Sequence, residues 1–216
     1  MIYPMKLLKK GLIFTLLLLS ITWVDAQNIS TYFINMPSNL LPGVSVETRK
    51  DLIDFSANGK VATMPSAFGG KIGIKTLSDD YLVLRTSDKG EMQLKKLHLE
   101  DTRFVLVVIR TVSAPLRDSR ISVYTTDWKP FNELLFPILH QKDFIDVGKA
   151  NALGLVDVQS QFEPRLFVAW SYLPNSNVLV AKSSLKDDLS LDKDSTLKLV
   201  VKDSIRLQLE GLNYKF

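Results

Sequence analysis

The chain has 216 residues, of which 46% are apolar, 23% charged and 9% aromatic, and its formal net charge is +4. This composition is typical of a globular protein and excludes collagen, coiled coil and intrinsic disorder. The chain has no cysteine, which excludes disulfides, thiolate nucleophiles, iron–sulfur clusters and cysteine-rich zinc sites.

The first 26 residues have the three-part layout of a secretory signal peptide. Three lysines between positions 6 and 10 precede an apolar run at 12–19, and the small residue Ala26 is suited to cleavage before Gln27. The apolar stretch is shorter than the ~20 residues that a transmembrane helix needs, which argues against an uncleaved anchor. We expect an exported protein of the periplasm or cell surface of a Gram-negative bacterium, with no integral membrane span after processing.

Processing would also bring the net charge close to zero. Removal of residues 1–26 takes away three lysines and one aspartate and leaves 24 basic and 22 acidic side chains. A charge of +2 provides no electrostatic footprint for nucleic acid, so we expect no nucleic-acid partner. An exported protein without cysteine fits a bacterial envelope, where the hydrophobic core and not disulfides provides stability.

The spacing of apolar residues changes from a helical period to a strand period early in the chain. Helical spacing predicts a helix at about 45–57, and Asn58-Gly59 would end it. From Lys60 a period of two predicts short strands joined by tight turns, an antiparallel meander with one solvent-facing side. The continuously apolar run at 104–109 predicts a strand covered on both faces, and 120–125 returns beside it.

The second half gives weaker patterns. Residues 143 to about 158 permit a helical segment, and 166–172 with 177–182 predict a hairpin. Residues 195–216 indicate further strands. We therefore predict an α+β fold.

The predicted architecture is a mainly antiparallel β-meander with helices packed on one face. A single domain would cover 27–216. Both halves of the chain have a loose order of helix and then hairpins, so two helix-plus-sheet halves, 27–130 and 131–216, are also permitted.

Five side chains on or after one predicted hairpin are candidates for a binding surface: Arg110, Arg120, Tyr124, Asp127 and Trp128. Arg, Tyr and Trp contribute most of the binding energy at many protein interfaces. The same residues could instead close the end of a sheet, with an Arg–Asp pair and a half-buried Trp. Both interpretations remain open at this point.

His98 and His140 are the only imidazoles. Asp143 and Asp146 follow His140, and a histidine with carboxylates can bind a metal or act as a general base. Neither histidine has the HExxH spacing of a metalloprotease, and the serine-hydrolase and nucleotide-binding motifs are absent. We predict no metal site and no cofactor, and we interpret Phe68-Gly69-Gly70-Lys71 as a bend into a strand and not as a phosphate loop.

Several segments match one known family together. They are Phe33-Ile34-Asn35-Met36-Pro37, Arg49-Lys50-Asp51-Leu52-Ile53-Asp54-Phe55, Leu77-Ser78-Asp79-Asp80-Tyr81-Leu82 and Asp118-Ser119-Arg120-Ile121 through Asp127-Trp128. Through them the chain resembles an uncharacterised Bacteroidales family, the domain of unknown function 3256, over about residues 30–130. Members often carry cysteine in the turn where this chain has Leu116-Arg117, which argues against a thiol role there. The resemblance implies an exported protein of Gram-negative bacteria and implies no activity, ligand or catalytic residue.

No pattern of nucleophile, base and orienting group is evident, so we expect a non-catalytic protein. The leading hypothesis is a binding or accessory module of the bacterial envelope, which acts on an envelope protein or peptide through an exposed sheet face or edge. One alternative is an envelope hydrolase that uses His140 with Asp143 or Asp146. Another is a structural component of a surface assembly, which would co-purify with an outer-membrane partner.

Overall fold

A computed structural model describes residues 28–60, 63–100, 103–162, 165–187 and 196–216. The predicted signal peptide, 1–26, and its cleavage site between Ala26 and Gln27 lie outside these described residues. Within them, no helix is both long and apolar enough to cross a membrane.

Two helices open the described chain, and a capping side chain sets where each begins. Asn28 precedes α1 (Ile29–Ile34), and Ser45 precedes α2 (Val46–Ala57). In each case the side-chain oxygen accepts a hydrogen bond from the backbone N–H three residues further on, at 3.1 and 3.2 Å. Asn and Ser are favoured there because they satisfy an N–H that the helix leaves unpaired. The helix predicted at about 45–57 is confirmed.

The strands that follow form a six-stranded antiparallel sheet in which each strand pairs with its neighbour in the chain. This order confirms the predicted meander. The strands are β1 (Met64–Pro65), β2 (Lys71–Leu77), β3 (Tyr81–Arg85), β4 (Gly90–His98), β5 (Phe104–Ser113) and β6 (Arg117–Thr125). β4 and β5 pair without a break along the whole of β4, so the two ends of the sheet are rigidly connected.

The second half forms a smaller antiparallel sheet with the order β10-β9-β8-β7. Its strands are β7 (Val168–Tyr172), β8 (Leu179–Ser183), β9 (Ile205–Glu210) and β10 (Asn213–Lys215). β7 and β8 confirm the predicted hairpin.

The helical segment predicted at 143 to about 158 is shorter than expected. Only α3 (Val147–Ala152) is α-helical there, between 3-10 turns at Gln141–Phe144 and Val158–Gln161. Gly154 and Asp157 have left-handed backbones, with φ of +66° and +53°, and such a backbone cannot continue an α-helix. A further short helix, α4 (Leu197–Val200), precedes β9.

The six-stranded sheet is covered on both faces, so the molecule has three layers. Its helix-side face packs against α1 and α2 through Leu82, Leu84, Met92, Leu94, Leu106 and Val108. Its other face packs against the smaller sheet through Tyr81, Val83, Leu97, Val105, Val107 and Ile109. Helices do lie on one face, as predicted, but the solvent-facing side predicted for the meander is wrong, because a sheet from the distant half covers it. The two sheets fall in the two permitted halves and share one core.

Gln93 on β4 joins the two sheets. Its side chain is 2% exposed. Oε1 accepts hydrogen bonds from the Tyr81 hydroxyl at 2.8 Å and the Tyr172 N–H at 3.3 Å, and Nε2 donates to the Trp170 carbonyl at 3.2 Å. On β7, the edge strand of the smaller sheet, the Trp170 N–H also donates to Ser119 Oγ on β6 at 3.0 Å. Side chains of the large sheet therefore satisfy the backbone groups that β7, as an edge strand, would leave unpaired.

Arg49 on α2 is completely buried and connects the two helices. Its guanidinium donates hydrogen bonds to the carbonyl oxygens of Val44 (3.2 and 3.0 Å), Ile34 (3.1 Å) and Met36. Burial lowers the pKa of Arg49, and no carboxylate pairs with it within the described part of the chain. A buried charge is costly unless hydrogen bonds compensate it, so these carbonyls make the buried guanidinium tolerable.

Three tyrosine hydroxyls are buried between the sheets. Besides the Tyr81 hydroxyl on Gln93, the hydroxyl oxygens of Tyr172 and Tyr214 lie 2.9 Å apart, and the Tyr214 hydroxyl also contacts the Asn177 carbonyl at 3.2 Å. Burial raises the pKa of Tyr81 and of Tyr172 above the ordinary value. Burial also raises the pKa of Tyr214 to about 12.

Arg49→Met should lower the free energy of unfolding by about 3 kcal/mol or more, because each buried carbonyl left without a donor costs about 1–3 kcal/mol. Urea denaturation measures the loss. Lys50→Met is the matched control, since Lys50 is the exposed neighbour on the same helix and surface substitutions usually stay within about 0.5 kcal/mol. Equal stability of the two variants would contradict the role assigned to Arg49.

The buried tyrosines should also make stability fall at alkaline pH. A tyrosine in the unfolded chain ionises near pH ~10, whereas Tyr214 in the folded protein ionises at about 12. The stabilisation is therefore complete below pH ~10 and decreases as the pH rises towards 12, because the unfolded state releases protons first. Urea denaturation at a series of pH values checks this, and Tyr214→Phe should make the decline shallower; an unchanged slope would contradict the assignment.

Candidate functional site

Three of the predicted binding residues lie on one face of the large sheet. Arg110 on β5 and Arg120 on β6 are directly opposite in the strand register, and Tyr124 is on the same side because side chains alternate along a strand. Arg110 Nη2 donates to the Leu40 carbonyl at 2.5 Å, and Arg120 is exposed. Neither guanidinium pairs with a carboxylate of the described residues. Opposed like charges destabilise a strand pair, so folding alone does not explain this arrangement.

Trp128 continues the row beyond β6. Its ring packs against Tyr124, with the ring centroids 5.7 Å apart. Its backbone is left-handed, with φ of +62°, which is uncommon for a residue other than glycine. The indole Nε1–H is buried, and no acceptor reaches it among the described residues. Both features cost stability, and such costs are concentrated at functional sites. We call Arg110, Arg120, Tyr124 and Trp128 the arginine–aromatic strip.

Asp127, the fifth predicted residue, lies away from the arginines. It is exposed, and its charge contributes, after the larger effect of burial, to the raised pKa of Tyr32 on α1. Within the described ranges no ion pair joins it to Arg110 or Arg120. If these residues only closed the end of a sheet, we would expect an Arg–Asp pair and a half-buried Trp. Among the described residues the half-buried Trp is present and the Arg–Asp pair is not.

An apolar groove of about 210 Å³ opens beside Arg110. It lies between residues 40–44 and the adjoining ends of β4 and β5. Phe68 and Val112, which are 64% and 55% exposed, line it. Phe68 is held in a turn closed by a hydrogen bond from the Ser66 N–H to the Gly70 carbonyl at 3.0 Å, which confirms the predicted bend into a strand.

The same end of the sheet is basic. A shallow polar cavity of about 190 Å³ lies close to the groove and shares Gly90 and Glu91 with it. Glu91 pairs with Lys75 at 2.7 Å and with Arg117 at 3.6 Å. The basic side chains of this end are Lys75, Arg85, Lys89, Arg110, Arg117 and Arg120, and the acidic ones are Asp88, Glu91 and Asp118. This excess of positive charge favours an acidic ligand.

The residues of the hydrolase alternative have structural roles. Asp143 accepts a hydrogen bond from the His140 backbone N–H at 2.7 Å, and Asp146 accepts one from the Lys149 N–H at 3.1 Å. The bond from Lys149 lowers the pKa of Asp146, so this carboxylate is ionised and caps α3. No group of three His, Asp or Glu side chains that could hold a metal ion is found in the described segments. Catalysis by His140 stays an alternative hypothesis, and the non-catalytic role stays a prediction.

A cavity of about 470 Å³, which the sequence analysis did not predict, lies at the opposite end of the sheet. His98, Asp79, Asp80, Lys96 and Phe104 line it. These residues belong to the end of β4, the start of β5 and the turn before β3, which an antiparallel meander brings to one end. Only the pairing of the strands, and not the spacing of a sequence motif, could have predicted that these residues lie together.

Comparisons with known proteins identify the family but no activity. No curated protein matches the chain significantly. A solved domain of an uncharacterized protein from Porphyromonas gingivalis has a similar structure, with a TM-score of 0.65 and 22% identity over 86% of this chain and 96% of that one. At this identity the likeness concerns the fold alone. The family model described as protein of unknown function (DUF3256) matches residues 21–214, and the chain therefore belongs to that family.

Proposed function

We propose that this protein is an exported, non-catalytic binding module of the bacterial envelope. It binds a segment of another envelope protein in which an apolar side chain lies next to acidic ones. The observation that carries this proposal is the position of the Arg110–Arg120 pair beside an apolar groove lined by the exposed Phe68 and Val112.

The size and lining of the groove favour a peptide side chain. Its volume of about 210 Å³ is below the roughly 300–1,000 Å³ of pockets that enclose small molecules. Phe68 and Val112 expose apolar surface that burial against a partner would remove from water, at about 25 cal/mol per Å². One large apolar side chain of a partner would fill the groove and cover both residues.

The charge of the strip favours carboxylates next to that apolar side chain. The side chains of Arg110 and Arg120 repel each other across β5 and β6, and a carboxylate between them would remove that repulsion. Guanidinium groups bind carboxylates with two parallel hydrogen bonds. The two guanidinium groups, which have no carboxylate partner among the described residues, the basic surface around them and the apolar groove therefore fit one partner chemistry.

Export rests on the sequence of the N-terminal region. The lysine-rich start, the apolar run at 12–19 and the small residue Ala26 are typical of a cleaved leader. A protein without cysteine cannot take part in disulfide exchange, which suits an oxidising compartment such as the periplasm.

Fluorescence anisotropy with labelled synthetic decapeptides tests the binding role. One peptide carries a central Leu-Phe pair flanked by glutamates, and the other carries the same pair flanked by lysines. We expect the acidic peptide to bind, the basic peptide not to bind, and the affinity to fall with added salt, because salt screens exposed charges. Mass spectrometry of the bound acidic peptide should show it intact.

Arg120→Gln should weaken binding of the acidic peptide about tenfold, which corresponds to ~1.4 kcal/mol. Arg206→Gln is the matched control, since Arg206 is an exposed arginine on β9 of the smaller sheet. Equal binding of both peptides, or equal loss in both variants, would overturn the assigned surface. Cleavage of the peptide would overturn the non-catalytic role and favour the hydrolase alternative.

Cleavage of the signal peptide would give the exported protein a defined N-terminus. Expression of the full chain in a Gram-negative host should yield a periplasmic product that begins at Gln27, because signal peptidase cuts after a small residue such as Ala26. N-terminal sequencing of the osmotic-shock fraction measures this. Uncleaved protein found only in the cytosol would contradict export.

A further inference from the structure

The cavity at the His98 end of the large sheet has no part in the proposed peptide surface. Its volume of about 470 Å³ lies within the range of roughly 300–1,000 Å³ that is usual for small-molecule sites. Phe104 supplies an apolar wall, and the polar lining comes from Asn28, Asp79, Asp80, Lys96, His98 and Asn177. Several polar groups that converge around an apolar surface are the usual composition of a ligand site.

The wall is a pair of stacked rings. The His98 and Phe104 rings lie 4.7 Å apart at an interplanar angle of 27°, because the two residues are directly opposite on β4 and β5. The Lys96 ammonium lies 4.5 Å from the centre of the Phe104 ring. Phe104 is nevertheless 43% exposed. These contacts hold the exposed part of the ring pair in place, so a ligand that packs against it would order no mobile side chain.

The carboxylate of Asp80 is held in a fixed position at the cavity. The buried Lys95, 1% exposed, donates to Asp80 Oδ2 at 2.6 Å, and the Ser78 hydroxyl donates to Oδ1 at 3.3 Å. Burial of a lysine is costly, and such a pair adds little to stability, but it orients the carboxylate. The Asp80 side chain remains 43% exposed, and a carboxylate has about four lone-pair sites, so acceptor capacity remains for a ligand.

The charges of the described residues at the cavity are close to balance. Asp79 and Asp80 are matched by Lys96, which lines the cavity, and by Lys95, which pairs with Asp80, so these residues give no strong preference for an anion or a cation. Carboxylate oxygens accept hydrogen bonds from hydroxyl groups, the Asn177 amide can donate and accept, and a flat ring suits the C–H face of a sugar ring.

We propose that this cavity binds a carbohydrate, with one sugar ring against the His98–Phe104 pair and its hydroxyl groups on Asp79 and Asp80. The site shares no residue with the groove or the arginine–aromatic strip. Its existence is therefore independent of the peptide-binding role, and either can fail without the other.

Proton NMR of the two histidines tests the proposal on the processed chain. His98 lines the cavity and His140, the only other histidine, lies outside it, so one spectrum contains both the reporter and its internal control. The probes are cellobiose, maltose and N,N′-diacetylchitobiose at millimolar concentrations. We expect at least one of them to shift the imidazole signals of His98 saturably and to leave those of His140 unchanged.

Phe104→Ala should weaken the binding of that sugar about tenfold, and Phe68→Ala, which removes an exposed ring at the opposite end of the sheet, should leave it unchanged. Asp79→Asn provides a second variant that keeps the shape of the site and removes one carboxylate; it should weaken binding severalfold. Overturning results are the absence of any His98 shift with all three sugars, equal shifts of both histidines, or full affinity in Phe104→Ala and Asp79→Asn.

Discussion

A sheet that is buried on both faces must satisfy every polar group that it places between the layers, because water cannot reach those groups. The six-stranded sheet meets this requirement through a few long polar side chains. Gln93 binds both a tyrosine hydroxyl and the backbone of the smaller sheet, and Lys95 binds the carboxylate of Asp80. On the helix side, Arg49 satisfies the carbonyl groups where α1 ends and α2 begins. Removal of Gln93 or Arg49 would leave several buried partners unpaired.

Because both faces of the large sheet are covered, its perimeter is where the sheet offers surface for binding. The apolar groove lies at one end, the cavity lined by His98 lies at the other, and the arginine–aromatic strip follows β6 at the margin of the helical layer. The features that cost stability lie there too. The opposed arginines have no carboxylate partner among the described residues, and Trp128 combines a left-handed backbone with a buried indole N–H that lacks an acceptor there. Arg49 and Gln93 therefore hold the layers together, whereas the exposed Arg120 belongs to the surface that we propose for a partner.

Local patterns in the sequence were enough to predict the helix at Val46–Ala57, the meander and the β7–β8 hairpin, because caps, turns and apolar periodicity act over a few residues. They could not predict the second covered face. The alternation of Met92 and Leu94 with Gln93 and Lys95 is identical for a strand that faces water and for one that faces a polar contact in a core, and only the distant smaller sheet decides between them. The same limit explains the histidines. The sequence indicated His140 as a candidate because Asp143 and Asp146 follow it in the chain. Most of the neighbours of His98 are distant in sequence, so no local pattern indicated it.

The two ends of the sheet also differ in chemistry, although the same pair of strands supplies both. β4 contributes Glu91 and Met92 to the groove and His98 to the cavity, and β5 contributes Arg110 and Phe104 at corresponding positions. The strands span roughly 30 Å at about 3.3 Å per residue, and their pairing has no bulge that could bend. We therefore expect that a ligand bound at one end does not change the shape of the surface at the other end. The proposed peptide surface lies at the basic, apolar end and the proposed carbohydrate site at the aromatic end, so the rigid pair of strands would keep the two ligands at a fixed separation.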